Sequence, residues 1–184
     1  LALQFAIDPL SNNKKILFID TTVEFRPERF LQMLQSRNLP ASLLENLHVS
    51  RVTDTHKQIE ILKTLDKNYF SLLIIDNITD LFAFEYSKKE HLIEKNTNFG
   101  NYMINLSQIT QSEDIPIIIT NQIFSHDEIN YQRMHAQLEN YIHQKIYLEK
   151  INNKNTCTIS SPFIQNTKFN YKMTDSGIEE TESI

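Results

Sequence analysis

The sequence predicts an α/β fold, with a mainly parallel central sheet flanked by helices and a C-terminal antiparallel β-meander. Three continuous apolar segments that end in polar residues predict parallel strands, at 16–20, 72–76 and 117–121. Their apolar runs are too continuous for strands that have one face in water. Three later segments alternate between apolar and polar residues, as antiparallel strands do, at 145–149, 156–160 and 168–172.

Helices are predicted where apolar residues recur at three- and four-residue spacing around these strands. Residues 1–7 form the first helix, and Asp8-Pro9 should end it, because the residue before a proline is disfavoured in a helix. Pro27 suits the first turn of a second helix, at 27–37. Two further amphipathic helices are predicted before the second and third parallel strands.

Composition indicates one globular domain, predicted at residues 1–178 and followed by an acidic tail at 179–184. A chain of 184 residues can bury a sizeable core. Its net charge of -5 excludes a global basic field, so any DNA contact must come from local clusters. The single cysteine, Cys157, excludes an internal disulfide. No apolar run is long enough to span a membrane, and no secretory leader is visible. We expect an intracellular protein, cytoplasmic or nucleoid-associated in a prokaryote and nuclear in a eukaryote.

Polar side chains follow each of the three predicted parallel strands. Asp20 ends the first strand, Asp76 ends the second, and Asn121-Gln122 ends the third. Open α/β sheets bind ligands beyond the carboxyl ends of their strands, so these tips predict a ligand site. An acid such as Asp76 can hold a magnesium-bound water opposite phosphates. The alternative for Asp76 is an acid that caps the following turn.

These strand tips, together with the segment Phe25-Arg26-Pro27-Glu28-Arg29, resemble the RecA-like ATPase core. Within that superfamily, the segment resembles the archaeal and eukaryotic strand-exchange recombinases, in the RecA/RadA group, and above all their diverged RadB-like paralogs. The resemblance covers the chain from Leu1 to about Gly177. A KaiC-like ATPase without a DNA role shares the sheet, but this segment counts against it.

The resemblance implies three nucleotide-binding residues, with ATP and magnesium as candidate cofactors. Arg29 would stack its guanidinium on the adenine ring. Asp76 would hold magnesium through a water, and no other metal site is expected. Gln122 would sense the terminal phosphate, because an amide can donate and accept at once. The alternatives are a solvated helix start for Arg29 and a polar strand end for Gln122.

Two features of the family's nucleotide site are changed in this sequence. The family's glycine-rich phosphate loop directly precedes a helix like 1–7, but the sequence holds only two glycines, Gly100 and Gly177. Either the loop and its strand lie upstream of Leu1, or this is a paralog that lacks them. The strand-exchange enzymes end the first strand in Asp-Thr-Glu, and that glutamate polarises the attacking water.

Thr22 occupies the position of that glutamate. Threonine cannot act as a general base near neutral pH. Glu24 lies two residues on, and it could take the role only through a changed loop path. We therefore expect residual ATP hydrolysis at most.

Two polar loops would face DNA by analogy with the family. The first contains Lys88 and Lys89, and the second, at residues 125–140, contains Arg133. Their contacts to phosphate would be independent of base sequence and sensitive to salt. The alternative is that both are solvated loops.

The predicted function is that of a recombinase paralog in homologous recombination and DNA repair. We expect an accessory or mediator role with weak or no ATP hydrolysis, whose partner is a recombinase or another recombinase paralog. Single-stranded DNA is a candidate ligand, and no membrane contact is expected. The alternative is an active DNA-dependent ATPase that performs strand exchange itself.

Overall fold

In the computed structural model of the chain, the described residues are 1–66, 68–126, 129–132, 134–151 and 153–183. The first half contains α1 (Ala2–Ser11), β1 (Ile16–Asp20), α2 (Pro27–Ser36), β2 (Leu47–Arg51), α3 (Thr55–Lys63) and β3 (Leu72–Asp76). The middle contains α4 (Asp80–Glu85), α5 (Leu92–Glu113), β4 (Ile117–Ile119), β5 (Ile123–His126), β6 (Ile129–Gln132) and α6 (His135–Glu139). The last part contains β7 (Lys145–Ile151), β8 (Lys154–Ser161), β9 (Ile164–Thr174) and β10 (Gly177–Ser183).

The first sheet is parallel and has the strand order β2-β1-β3-β4. β1 and β3 pair in register, so that Asp20 lies opposite Asp76. β3 and β4 are also parallel, which confirms the predicted direction of all three apolar strands. β4 ends at Ile119 and is only half-buried, because it pairs on one side alone within the described residues.

Both faces of this sheet are covered, which explains the continuous apolar runs. Odd-numbered strand residues such as Leu17 and Ile75 pack in a core with α3, α4 and α5. Even-numbered residues such as Phe18 and Ile74 pack in a second core with α1 and α2. Successive strand side chains point to opposite faces, so a strand buried on both faces must be apolar at every position.

The second sheet is antiparallel and has the strand order β10-β9-β8-β7. The meander is therefore confirmed, but the described strands form a separate sheet and do not continue the parallel one. Gln4 of α1 connects the two parts of the fold, since its Nε2 donates to Ile178 O at 3.1 Å and its Oε1 accepts from Ile178 N at 2.8 Å. A cavity of about 190 Å³ lies between α1 and this sheet, lined by Phe5, Leu148 and Phe169 among others.

Pro9 does not end the first helix as the sequence predicted. α1 runs through Pro9 to Ser11, and Leu10 is fully buried in the core. Pro9 has no N–H to donate to Phe5 O, so α1 lacks one intrahelical hydrogen bond there, while the burial of Leu10 stabilises the turn that follows. Asn12 N donates to both Asp8 O and Pro9 O at 3.1 Å, which closes the last turn.

Two segments that were expected to be irregular form strands. The loop predicted at 125–140 contains part of the antiparallel pair β5–β6 and the short helix α6. The acidic tail predicted from residue 179 belongs to β10, which pairs with β9 as far as Ser183. Glu179 is opposite Lys172, and their side chains approach to 3.4 Å, so opposite charges favour this pairing.

None of the helices in the described ranges combines the length and the apolar character that a membrane crossing requires.

Candidate functional site

The candidate site lies at the carboxyl ends of β1, β3 and β4, where the strand tips are joined by hydrogen bonds. Thr21 Oγ1 donates to Asn77 O at 2.6 Å, and Asn77 N donates to Thr21 Oγ1 at 2.7 Å. Thr21 N also donates to Asp76 O at 2.8 Å. Thr21 and Asn77 are buried, so these bonds fix the backbone on either side of Asp76.

Asp76 is half-buried, and its carboxylate has a defined orientation. Thr120 Oγ1 donates to Asp76 Oδ1 at 2.5 Å, while Thr120 N donates to Ile75 O at 3.0 Å. A carboxylate held in this way at a strand tip suits a hydrogen bond to a metal-bound water. No cluster of three or more His, Cys, Asp or Glu in the described part of the chain could hold a metal by itself. One oriented carboxylate, that of Asp76, fits magnesium that arrives with its own phosphate ligands.

Asp20 has a structural role that sequence reasoning missed. Its carboxylate is fully buried and accepts from the backbone N–H groups of Thr22, Glu24 and Phe25 at 3.2–3.3 Å. Arg51 Nε lies 3.8 Å from its Oδ2. One carboxylate thus organises the whole loop that follows β1. An acid followed two residues later by threonine is a turn pattern that could have indicated this role.

The structure places Thr22 and Glu24 differently in this loop. Thr22 Oγ1 donates to Asp20 Oδ1 at 3.2 Å, so its hydroxyl points back to the loop's own anchor. The side chain of Glu24 is exposed, although its backbone N–H donates to Asp20 Oδ1. Between them, Val23 adopts a left-handed backbone conformation with φ of 59°, which is strained for a β-branched residue.

Arg29 lies in the first turn of α2 and reaches across to the antiparallel sheet. One guanidinium nitrogen, Nη2, donates to Thr174 O at 2.6 Å. The other, Nη1, donates to Gln32 Oε1 at 2.5 Å and more weakly to Asp175 O at 3.4 Å. Arg29 thus links α2 to the turn at Thr174–Asp175.

The amides at the end of β4 differ in their surroundings. Thr79 Oγ1 donates to Asn121 Oδ1 at 2.6 Å, and Thr79 N donates to Asn77 Oδ1 at 2.9 Å. Asn121 therefore joins the network that holds the turn after β3. Gln122 is exposed and leads directly into β5. The structure thus brings Asp76 and Asn121 into one network, and Gln122 lies at its border. The Asp20 carboxylate binds the neighbouring loop instead.

Two of the three predicted DNA-contacting residues lie on a segment that follows β3. Lys88 and Lys89 are exposed on the segment between α4 and α5, which follows β3 and its Asp76. Lys88 Nζ lies 3.9 Å from Glu90 Oε1, so a neighbouring acid reduces the basic character of the loop. Arg133 lies outside the described residues.

Comparison with known proteins gives a consistent result. A family model described as Rad51 matches residues 1–181. The protein named DNA repair and recombination protein RadA in Metallosphaera sedula is 25% identical over 181 residues, which cover 91% of this chain and 56% of that protein. RadA of Cenarchaeum symbiosum is 32% identical over 115 residues, covering 60% of this chain and 29% of that protein. Meiotic recombination protein DLH1 of Candida albicans is 28% identical over 130 residues, covering 68% of this chain and 40% of that protein.

Proposed function

This chain belongs to the Rad51 family, and from that premise we propose that it is a RadB-like recombinase paralog in homologous recombination and DNA repair. The names of its relatives support a role in recombination and repair. The chain spans about half the length of the first of these relatives and less of the others. Its activity, nucleotide and partners are therefore part of the proposal.

The observation that carries the accessory role is the position of Thr22. The threonine replaces the carboxylate that a water-activating site requires, and its hydroxyl donates to Asp20. A hydroxyl used as a donor to the loop's own anchor cannot take a proton from water. A protein of this kind can bind nucleotide and a partner but turns nucleotide over slowly.

Nucleotide binding at the sheet edge is supported by Asp76 and by the basic side chain of Arg29. Asp76, oriented by Thr120, would bind a magnesium-bound water, and Arg29 would contact the base. Magnesium, when bound with ATP, neutralises charge on the phosphates. Gln122, exposed where β4 leads into β5, would contact the terminal phosphate and transmit its presence to the β5–β6 segment.

We expect a recombinase or another recombinase paralog as the partner, with single-stranded DNA as a further ligand. Lys88 and Lys89 are exposed and could contact phosphates, and Arg133 is a third candidate. The net charge of -5 makes tight DNA binding by the chain alone unfavourable, which favours a role carried by protein partners.

Steady-state ATP turnover of the wild type and of Thr22→Glu tests this proposal. The wild type should be at background, and Thr22→Glu should raise turnover by about 10²–10⁴-fold, the usual contribution of a general base, if an intact phosphate loop precedes Leu1. Thr22→Gln is the matched control, because glutamine is as large as glutamate but has no carboxylate to accept a proton. Its turnover should stay at background. Robust turnover by the wild type would contradict the accessory role.

A second candidate function is an active DNA-dependent ATPase, and the exposed carboxylate of Glu24 favours it. Glu24 lies two residues after Thr22, on the same anchored loop. If Glu24 has taken over the role, wild-type turnover should be measurable, and Glu24→Gln should abolish it. Asp8→Asn, at an exposed acid on α1, should leave turnover unchanged.

A further inference from the structure

Helix α2 and the residue that follows it hold the turn between β9 and β10 through polar side chains. Arg29 donates to the carbonyl oxygens of Thr174 and Asp175, as described above. Arg37 donates to Ser176 O from Nε at 3.2 Å and from Nη2 at 3.0 Å. The turn is thus fixed against α2 at consecutive residues, although the two are more than 130 residues apart in the chain.

The acceptors around Arg29 fix the plane of its guanidinium. All N–H groups of a guanidinium lie in its plane, so Gln32 Oε1, Thr174 O and Asp175 O hold it at its edges. Edge contacts leave the two faces of the group for stacking against a flat ligand. Among the described residues, the cation–ring contact is Lys15 over Tyr69, and Arg29 stacks on no ring of the chain itself.

Gln32 joins Arg29 to the turn through both ends of its side-chain amide. Its Oε1 accepts from Arg29, and its Nε2 donates to Asp175 Oδ1 at 2.8 Å. The turn is itself ordered, because Thr174 Oγ1 bonds to Ser176 Oγ at 2.7 Å and to Glu179 Oε1 at 2.9 Å. Gln32 therefore cannot rotate without breaking contacts on two elements.

We propose that Gln32 and the turn at Thr174–Asp175 are positioning groups, which hold the Arg29 guanidinium plane against the aromatic base of a nucleotide. Docking of the β9–β10 turn on α2 then sets how strongly the site prefers a nucleotide over bare phosphates. The inference rests on the proposed nucleotide site. Arg29 enters that site through the proposed contact of its guanidinium with the base.

The test compares two probes that share phosphates and differ in the base. Binding of ADP with magnesium and of inorganic tripolyphosphate with magnesium is measured by calorimetry on the full chain. Gln32→Ala should weaken ADP binding by about 3- to 10-fold, the usual worth of an ordered cation–ring interaction, and should leave tripolyphosphate binding unchanged. Arg29→Ala should show the same pattern, and the double variant should be no weaker than Arg29→Ala alone, because Gln32 acts through Arg29. Gln35→Ala, at an exposed glutamine on the same helix, is the matched control.

Three results would overturn the inference in distinguishable ways. If Gln32→Ala binds ADP as the wild type does while Arg29→Ala binds it more weakly, Arg29 contacts the base without Gln32. If Gln32→Ala weakens both probes equally, its effect is a general loss of structure, and thermal unfolding of the variant would show the same loss. If the wild type binds neither probe, the proposed nucleotide site is wrong, and the inference fails with it.

Discussion

Gly177 is the residue whose substitution the structure restricts most clearly. It adopts φ of +123°, and a Cβ atom there would lie 2.5 Å from Gln4 Oε1. Gly177→Ala should therefore lower the free energy of unfolding by about 1–3 kcal/mol, from backbone strain and displacement of Gln4. Urea unfolding followed by circular dichroism measures this loss.

Gly100 provides the control for that substitution. It lies within α5, and a Cβ atom there would meet nothing within 4 Å. Gly100→Ala should raise the free energy of unfolding by about 0.5–1 kcal/mol, because alanine loses less conformational entropy in a helix. Equal effects of the two substitutions would mean that the backbone at Gly177 is not restricted as described.

At the scale of elements, one buried carboxylate holds the loop after β1. Asp20→Asn should cost about 1–3 kcal/mol of stability, because an amide NH₂ group would face the N–H donors that now bind a carboxylate. Hydrogen exchange at Phe25 should become faster, because the asparagine oxygen can keep the Oδ1 position that binds Thr22 and Glu24 while its NH₂ group replaces Oδ2. Asp8→Asn, at an exposed helical position, should change neither measurement. Unchanged exchange in Asp20→Asn would show that the loop is held by other contacts.

The sequence predicted the parallel strands because their pattern is local: both faces of β1 and β3 are buried, so each position before the terminal aspartate is apolar. β10 was missed, because its acidic residues resemble a solvated tail until Lys172 and Thr174 are known to be neighbours. The role of Asp20 was missed because its position at a strand tip was interpreted as part of a ligand site, although the threonine two residues on is typical of a turn. Thr174, one partner of Arg29, lies 145 residues away, and no local pattern indicates a contact over that separation.

At the scale of the whole molecule, the net charge confines DNA binding to local clusters. The variant Lys88→Ala/Lys89→Ala/Arg133→Ala should bind single-stranded DNA more weakly than the wild type. Its plot of log affinity against log salt should be flatter by roughly 0.7 for each DNA phosphate that the variant no longer neutralises. Fluorescence anisotropy with a labelled oligonucleotide across a salt series measures both effects.

A control with the same change of charge separates local binding from the global field. The variant Lys14→Ala/Lys63→Ala/Lys168→Ala also removes three positive charges, from exposed positions elsewhere in the fold. It should keep the wild-type salt slope. If both variants bind with equally reduced affinity, DNA responds to overall charge and not to the two loops.

The hydrogen bonds between Gln4 and Ile178 span 174 positions of the chain. They affect the order in which parts of the protein can fold during synthesis. While the ribosome is still synthesising β9, α1 has no strand to bind Gln4. Contacts between such distant residues slow folding, because the ends must meet before the contact stabilises anything. We therefore expect the parallel sheet to form with α1 packed on it during translation, and the bonds of Gln4 to form only after β10 has left the exit tunnel.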